Sequence, residues 1–236
     1  MTAILELRNV SAEYGPFRAL FDVSLAVQPG EAVALVGSNG AGKTTVARVA
    51  SGLIKPSSGA VLVEGETMTG VRTHKFARAG IAHAPEGRSV FASLTVDENL
   101  TLSFRRALGR PRVSDALARA YEMFPALARR RSQPAGTLSG GEQRMLSLAR
   151  VLVEVPKLLI ADELSLGLAP IIVDELYEHL RRLRTEGTAV LIVEQQVSHA
   201  LALADRVAVL DHGVVVWEGD SATAAGVVHQ AFEPTH

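Results

Sequence analysis

A glycine-rich run at 37–44 carries the clearest chemical signal in the chain. It reads GSNGAGKT and fits GxxxxGK[ST], the pattern of a loop that wraps nucleotide phosphates. Glycines let backbone N–H groups converge on phosphate oxygens without an intervening Cβ. Lys43 can reach the outer phosphates, and the Thr44 hydroxyl suits Mg²⁺ coordination. The candidate nucleotide-binding residues are Gly37, Ser38, Asn39, Gly40, Ala41, Gly42, Lys43, Thr44 and Thr45.

The segments on either side of this run predict the structure that such a loop needs. Residues 31–36 are an apolar run between turn residues, which predicts a short buried strand. Residues 44–50 predict a helix that stops near Ser51. The N-terminus of that helix would offer free N–H donors and a favourable dipole to an anion. Strand, loop and helix together favour a phosphate site over a glycine-rich turn that binds nothing.

A pair of acidic residues follows a second apolar run. Residues 157–161 predict another buried strand, and Asp162 and Glu163 come directly after it. Carboxylates at the carboxyl end of a parallel strand face the crevice where α/β sheets bind ligands. Asp162 would hold Mg²⁺ through water, and Glu163 is placed to polarise or deprotonate an attacking water. The alternative, a solvated turn, is less favoured because the phosphate loop lies in the same chain.

A second candidate contact for phosphate lies at 138–143, which reads LSGGEQ. Ser139 suits a helix N-cap, and Glu142 completes a capping box. The predicted helix runs from Glu142 to about Val153, with apolar residues at helical spacing. Its two leading glycines leave the first N–H groups bare, which suits contact with an anion. Taken alone, the same segment is also typical of a well-capped helix without a ligand.

Together, these three motifs resemble those of the ATP-binding cassette family of transport ATPases, and the resemblance covers nearly the whole chain. It implies ATP and Mg²⁺ as cofactors and ATP hydrolysis as the reaction, with Glu163, Lys43 and Gln195 as catalytic residues. In that family two cassettes pair head to tail around the nucleotide. The signature residues of one subunit then close over the γ-phosphate held by the other; here they are Ser139, Gly140, Gly141 and Glu142.

Three further positions take their interpretation from the resemblance. Tyr14 lies where the family keeps an aromatic ring that stacks on adenine; the alternative is a half-buried strand tyrosine. Glu86 replaces a glutamine that contacts Mg²⁺ and senses the membrane partner, and Gln195 replaces a histidine that touches the γ-phosphate. Glutamine can donate a hydrogen bond but cannot become cationic. We therefore expect charge stabilisation from Lys43, Mg²⁺ and the partner's signature helix.

These departures are similar to those of one subgroup, the smaller ATPase subunit of branched-chain amino acid importers. The shared segments are PEGR at 85–88, SLGLAP at 165–170 and VEQ at 193–195, whereas Leu164 replaces the usual proline. The resemblance implies as partners a second ATPase subunit (identical or different), two membrane permeases and, indirectly, an extracytoplasmic solute-binding protein. Phe91 and Leu94, expected to be exposed, would help to transmit motion to the permeases.

Three alternatives stay open at this point. Importers of urea or short-chain amides share most of the subgroup pattern. A soluble cassette ATPase of DNA repair or translation usually has a coiled coil between the motifs or two cassettes in tandem, and neither is visible here. A regulator that binds ATP without hydrolysing it is disfavoured by Glu163.

Composition restricts the remaining function classes. The 236 residues can bury one sizeable core, and 47% hydrophobic with 5% aromatic residues is typical of an aliphatic α/β protein. The formal net charge of −1 gives no basic excess for nucleic acid. Because there are no cysteines, disulfides, thiol catalysis and cysteine-ligated zinc are excluded. The seven histidines lack metal-ligand spacing and are interpreted as surface or packing residues.

The chain lacks the apolar region of a signal peptide and any stretch of the roughly 18 uncharged residues that a membrane span needs. We therefore expect a cytoplasmic protein that lies on the inner face of the cell membrane only through permease subunits.

The predicted fold class is α/β: a P-loop ATPase core with a mixed sheet, an N-terminal antiparallel β subdomain and an inserted helical subdomain. We expect residues 1–236 to form a single ABC ATPase domain, in which 1–85 and 151–236 are the nucleotide-binding core and 86–150 the helical signature subdomain. Strands are predicted at 3–10, 19–27, 60–64, 80–84, 158–162, 189–193 and 206–210, with a capped helix over 95–107, another helix from 114 and a hairpin closed by Trp217.

Overall fold

The fold consists of two β-sheets and the helices that pack on them. The computed structural model describes residues 2–85, 87, 89–195, 197–224 and 226. Its strands are β1 (Leu5–Tyr14), β2 (Phe17–Val27), β3 (Ala32–Val36), β4 (Ser58–Val63), β5 (Glu66–Thr67), β6 (Ile81–Ala84), β7 (Leu158–Asp162), β8 (Ala189–Glu194), β9 (Arg206–Asp211) and β10 (Val214–Asp220). Its helices are α1 (Lys43–Ala50), α2 (Thr73–Arg78), α3 (Val96–Ala107), α4 (Val113–Met123), α5 (Pro125–Ala128), α6 (Gly140–Leu152), α7 (Pro170–Thr185) and α8 (Val197–Leu203).

The N-terminal sheet is antiparallel, in the order β2-β1-β4-β5. Leu5 of β1 lies opposite Val27 of β2 on one side and Val63 of β4 on the other. Side chains alternate across a strand, so β1 turns Leu5 and Leu7 into the protein interior. The predicted antiparallel pairing of the first two strands is confirmed.

The second sheet has the order β10-β9-β3-β8-β7-β6, with all neighbours parallel except the β9–β10 hairpin. The carboxyl ends of β3, β7 and β8 therefore meet at one edge of the sheet. The glycine-rich loop follows β3, Asp162 ends β7, and Gln195 follows β8. This parallel order brings segments that are far apart in the sequence to a single crevice.

Two hydrophobic clusters cover the faces of this sheet. Ala32, Ala34 and Val36 of β3 contribute to the cluster shared with the helical segment. Val33 and Leu35, which point the other way, contribute to the cluster between the two sheets and α1. Since β3, β7 and β8 are buried along their whole length, their continuous apolar runs are typical of parallel strands covered on both sides.

Between β6 and β7, α3 and α6 begin with side-chain caps. Thr95 caps α3 in a reciprocal box with Glu98, as the sequence predicts. Helix α6 begins at Gly140 rather than at the predicted Glu142, because Ser139 is its N-cap and both glycines lie in its first turn. Helix α2 was not predicted. The proposed division into a core and a helical subdomain stays a prediction, since one cluster joins Leu100 and Leu146 to sheet residues.

Among the described residues, no helix is both long and apolar enough to span a bilayer.

Candidate nucleotide-binding and catalytic site

The glycine-rich loop connects the end of β3 to the start of α1. A Cβ on Gly37 would lie 2.4 Å from the carbonyl oxygen of Leu210, so this position has no room for a larger residue. Gly42, the residue before α1, has φ +103°, a conformation that L side chains rarely adopt. The loop therefore requires glycine for both close approach and backbone geometry.

An open cleft of about 460 Å³ lies over this loop. Glu163 and Leu166, which follow β7, and Gln195, which follows β8, also line it. Its lining residues are Ala19, Asn39, Gly40, Gly42, Lys43, Thr44, Thr45, Glu163, Leu166 and Gln195. The cleft thus combines backbone donors, a cation, hydroxyls and a carboxylate, which is the set that phosphoryl chemistry uses.

Lys43 is the cation of this cleft, and its side chain is only 4% exposed. Its Nζ donates a hydrogen bond to the Ser38 carbonyl at 3.0 Å and lies 4.0 Å from Oε1 of Glu163. A buried ammonium needs such partners. Because both partners belong to the phosphate-binding crevice, the ammonium is already held where an anionic ligand would enter.

Thr44 and Asp162 form the candidate cation site. The Thr44 hydroxyl donates to Oδ1 of Asp162 at 3.3 Å. Asp162 is fully buried, and its Oδ2 has no hydrogen-bond partner among the described residues. Mg²⁺ prefers oxygen ligands and is usually bound through one or two carboxylates plus substrate phosphates. The hydroxyl and the buried carboxylate fit this requirement; the described residues contain no richer cluster of metal ligands.

Glu163 occupies a turn that departs sharply from the strand before it. Its φ is +47°, in the left-handed region that a non-glycine residue rarely adopts. Its backbone N–H donates to the Val193 carbonyl at 2.8 Å, which ties the turn to the end of β8. The strained conformation directs the chain away from the sheet while the side chain lines the cleft.

The signature segment has the predicted capping geometry. The Ser139 hydroxyl accepts from the Glu142 N–H at 3.3 Å and donates to Oε2 of Glu142 at 2.8 Å. Burial raises the pKa of Glu142, but hydrogen bonds from Ser139 and the charge of Arg130, 2.5 Å away, outweigh it and hold the pKa below its usual range. A Cβ on Gly141 would meet open space. No signature residue lines the cleft of its own chain.

The remaining predicted residues are placed as follows. Tyr14 ends β1 beside the loop, is 42% exposed, and its hydroxyl lies 3.4 Å from both Thr45 Oγ1 and an Arg48 nitrogen. Gln195 is exposed and lines the cleft. Glu86 lies outside the described residues. Phe91 is exposed as expected, whereas Leu94 is half-buried. The Leu94 carbonyl accepts a hydrogen bond from the Ala135 N–H at 2.8 Å, which holds this segment against the chain that precedes α6.

Comparison with known proteins decides the family. The sequence model described as ABC transporter matches residues 20–165, more than half of the chain. The chain belongs to the ABC transporter family. The ATP-binding cassette fold and the ATPase activity expected from the sequence are thereby confirmed. ATPase subunits of this family dimerise and work with membrane permeases.

Individual relatives resemble the cassette over nearly its full length. It is 45% identical over 213 residues to the high-affinity branched-chain amino acid transport ATP-binding protein BraG of Pseudomonas aeruginosa, covering 90% of this chain and 91% of that one. It is 34% identical to a probable branched-chain amino acid transport ATP-binding protein, LivF, of Archaeoglobus fulgidus, covering 98% and 97%. A solved ATP-binding subunit of an ABC transporter superposes with a TM-score of 0.86 at 27% identity, covering 97% and 95%.

Arg144 of the cassette was missed by the sequence analysis. This buried residue of α6 donates to the carbonyls of Pro85 at 2.6 Å and Gly87 at 2.7 Å. It also donates to the carbonyls of Asp162 at 3.3 Å and Glu163 at 2.8 Å. One guanidinium therefore joins the signature helix, the segment beside Glu86 and the turn that contains Glu163. The only sequence signal was a charged residue on a helix face that is otherwise apolar.

Glu194 belongs to the VEQ motif at 193–195, but the sequence indicated no role for it. It is buried, and its carboxylate accepts hydrogen bonds from the Ser165 N–H and hydroxyl, both at 3.1 Å. Burial raises the pKa of Glu194 and the charge of Glu163 adds to this, whereas the bonds from Ser165 and the charge of Arg144 oppose it. Burial and Glu194 together raise the pKa of Tyr177. This carboxylate fastens the turn after Glu163 to the strand that leads to Gln195.

Proposed function

We propose that this chain is the ATP-hydrolysing subunit of an importer for branched-chain amino acids. The observation that carries the activity is the shared cleft, in which Lys43, Thr44, Glu163 and Gln195 come together from three separate segments. The substrate class is supported by the relatives BraG and LivF, whose names refer to branched-chain amino acid transport. Importers of urea or short-chain amides are the alternative for the substrate.

The phosphates of ATP would lie over the backbone N–H groups of residues 37–45. Lys43 exchanges its contacts with Ser38 and Glu163 for phosphate oxygens, which match an ammonium better than a neutral carbonyl does. The exposed ring of Tyr14, beside Thr45, stacks on adenine. Thr44 and Asp162 would hold Mg²⁺, with Glu86 as a further ligand. When bound, the metal neutralises charge on the phosphates.

Glu163 is the general base in this proposal. It accepts a proton as a water oxygen attacks the γ-phosphorus, the bond from that phosphorus to the β–γ bridging oxygen breaks, and ADP and phosphate are released. Lys43 leaves Glu163 when it binds phosphate, so nucleotide entry frees the carboxylate for the water. Gln195, which also lines the cleft, donates a hydrogen bond to the γ-phosphate.

A second cassette completes the site. Ser139, Gly140, Gly141 and Glu142 do not line the cleft of their own chain. The capping box uses the N–H groups of Ser139 and Glu142, so those of Gly140 and Gly141 are the ones available to a nucleotide held by another subunit. ATP then clamps two cassettes together, and hydrolysis releases them. The partner is an identical or a different ATPase subunit.

Two membrane permeases convert this motion into transport, and a solute-binding protein outside the membrane delivers the cargo to them. Phe91 is 48% exposed, has the Arg150 guanidinium 5.3 Å from its ring centroid, and offers a contact surface. The cassette would thus lie on the cytoplasmic face of the membrane. In the proposed division, residues 86–150 form the helical subdomain that carries both this surface and the signature.

The test compares ATP turnover and assembly in wild type, Glu163→Gln and the control Glu122→Gln, which changes an exposed glutamate on α4. We expect Glu163→Gln to lower turnover by about 10²- to 10⁴-fold while it still binds ATP and forms ATP-dependent dimers, and Glu122→Gln to match wild type. If wild type and Glu163→Gln have equally negligible turnover, the enzyme assignment fails. If Glu163→Gln stays monomeric with ATP, alone and with its cognate cassette, the shared site fails.

The substrate is tested separately in vesicles that contain the cassette, its cognate permeases and the binding protein. ATP-dependent uptake of labelled leucine or valine supports the proposal. Uptake of urea or acetamide alone would overturn the substrate assignment and leave the ATPase role intact.

A further inference from the structure

One histidine, whose side chain is largely buried, lies next to the candidate cation site. His83 belongs to β6, which pairs in parallel with β7 so that His83 is opposite Ile160. Its side chain is 8% exposed. The imidazole Nδ1 lies 3.1 Å from Oγ of Ser51, and Nε2 lies 3.9 Å from Oδ2 of Asp162. Both ring nitrogens thus face polar atoms, which distinguishes His83 from a residue that only fills space.

The two carboxylate oxygens of Asp162 have different neighbours. Oδ1 accepts the hydroxyl of Thr44 in the first turn of α1, whereas Oδ2 faces His83. Ser51, the partner of the other ring nitrogen, is the C-cap of that same helix. Thr44, at the start of α1, therefore contacts Asp162 directly. Ser51, at the end of α1, is connected to Asp162 only through the imidazole of His83. In the described part of the chain, neither Oδ2 nor Nε2 has a hydrogen-bond partner.

The neighbours of the ring decide which nitrogen of a neutral imidazole carries the proton. An unprotonated Nε2 would place a lone pair against the anionic Asp162, which is unfavourable, so the proton belongs on Nε2. Nδ1 then accepts from the Ser51 hydroxyl. The hydroxyl also lies 2.9 Å from the Ala47 carbonyl and 3.2 Å from the Arg48 carbonyl. These two carbonyls keep their bonds from the Ser51 N–H at 3.0 Å and the Leu53 N–H at 2.8 Å.

We propose that His83 is a positioning residue whose Nε2–H faces Oδ2 of Asp162 and fixes the orientation in which this carboxylate serves a nucleotide-bound divalent cation. The inference rests on the proposed role of Asp162 in holding Mg²⁺. Residues that orient a metal-binding carboxylate change metal affinity by about 10- to 100-fold when they are replaced.

Two substitutions of similar size separate this role from packing. In His83→Gln the side-chain amide reaches the position of Nε2, whereas in His83→Asn it reaches only the position of Nδ1. His83→Val removes both polar groups, and His74→Gln, at an exposed position on α2, is the control. For each full-length variant, the dissociation constant of ATP is measured in EDTA and in saturating Mg²⁺. The value in EDTA divided by the value in Mg²⁺ reports how strongly the metal strengthens the binding of ATP.

We expect this ratio to fall about tenfold or more in His83→Asn and His83→Val, to stay within about threefold of wild type in His83→Gln, and to be unchanged in His74→Gln. Binding in EDTA and the unfolding temperature of His83→Asn should match those of His83→Gln. Equal ratios for His83→Asn, His83→Gln and wild type would overturn the positioning role and leave the proposed function standing. Failure of the wild type to bind ATP at all would instead overturn the proposed function.

Discussion

The guanidinium of Arg144 donates a hydrogen bond of 2.8 Å to the backbone carbonyl of Glu163. Arg144 lies on the signature helix, whereas Glu163 lies in the turn after β7 and is the proposed general base. The same guanidinium contacts Pro85 and Gly87, next to the segment expected to sense the permeases. A single side chain therefore links the three functional segments of the cassette.

Replacing Arg144 with lysine keeps the positive charge. The single nitrogen of an ammonium group cannot reach all the carbonyls that the planar guanidinium contacts at the same time. We expect Arg144→Lys to lower the free energy of unfolding by about 2–4 kcal/mol, because buried carbonyls lose charged donors. We also expect kcat to fall at least about tenfold, because the turn that carries Glu163 loses its support. Urea denaturation and ATPase assays measure the two effects.

The control is Arg119→Lys, at an exposed arginine whose pairing with Glu186 at 3.7 Å is a surface contact. That variant should change stability by less than about 0.5 kcal/mol. If Arg144→Lys has the same turnover and stability as wild type, the guanidinium does not support the turn that contains Glu163.

The substitution Ser139→Ala distinguishes the role of Ser139 as the N-cap of α6 from its proposed role at the nucleotide of a second subunit. Loss of the N-cap should destabilise the protein by about 1 kcal/mol. Thr95→Ala removes the corresponding cap of α3 and should have a similar effect on stability. Only Ser139→Ala should abolish the ATP-dependent dimer, measured by light scattering in a Glu163→Gln background. Equal dimerisation of both variants would contradict the role of Ser139 at the partner's nucleotide.

The carboxyl group of Glu154 should make the free energy of unfolding depend on pH. Burial raises the pKa of its carboxyl to about 7 from 4.5, against the lowering effects of Ser103, Arg150 and Arg106. Between these values the folded chain keeps a proton that the unfolded chain has released. The free energy of unfolding therefore falls as pH rises from 4.5 to about 7, by at most about 3 kcal/mol and nearer 1 kcal/mol after solvent screening.

Glu154→Gln should remove this dependence. Its stability relative to wild type should increase from pH 5 to pH 8, measured by urea denaturation at each pH, whereas Glu122→Gln should show no such trend. A difference between Glu154→Gln and wild type that stays constant over this range would show that Glu154 titrates normally.

The parts of the fold that the sequence predicted depend on local signals. The phosphate loop depends on glycines at fixed spacing, and the start of α3 on the Thr95–Glu98 capping box. The buried strands depend on short apolar runs between turns. Such signals involve residues close together in the chain, so the sequence alone reveals them.

The residues that the sequence analysis missed contact partners that are distant in the sequence. Arg144 contacts a carbonyl 59 positions away, and His83 meets Ser51 from another element 32 positions earlier. All seven histidines were interpreted as surface or packing residues, because no spacing within the chain indicates that one ring would lie beside Asp162. Only the strand order of the parallel sheet creates that contact.

Ser139 and Arg144 stand little more than one turn apart on the same helix. In the proposed pair of cassettes, the neighbour's nucleotide would engage the tip of α6, and Arg144 would carry a displacement of that tip to the carbonyls of Asp162 and Glu163. The filling of one site would in this way reach the carboxylate proposed to activate water in the other.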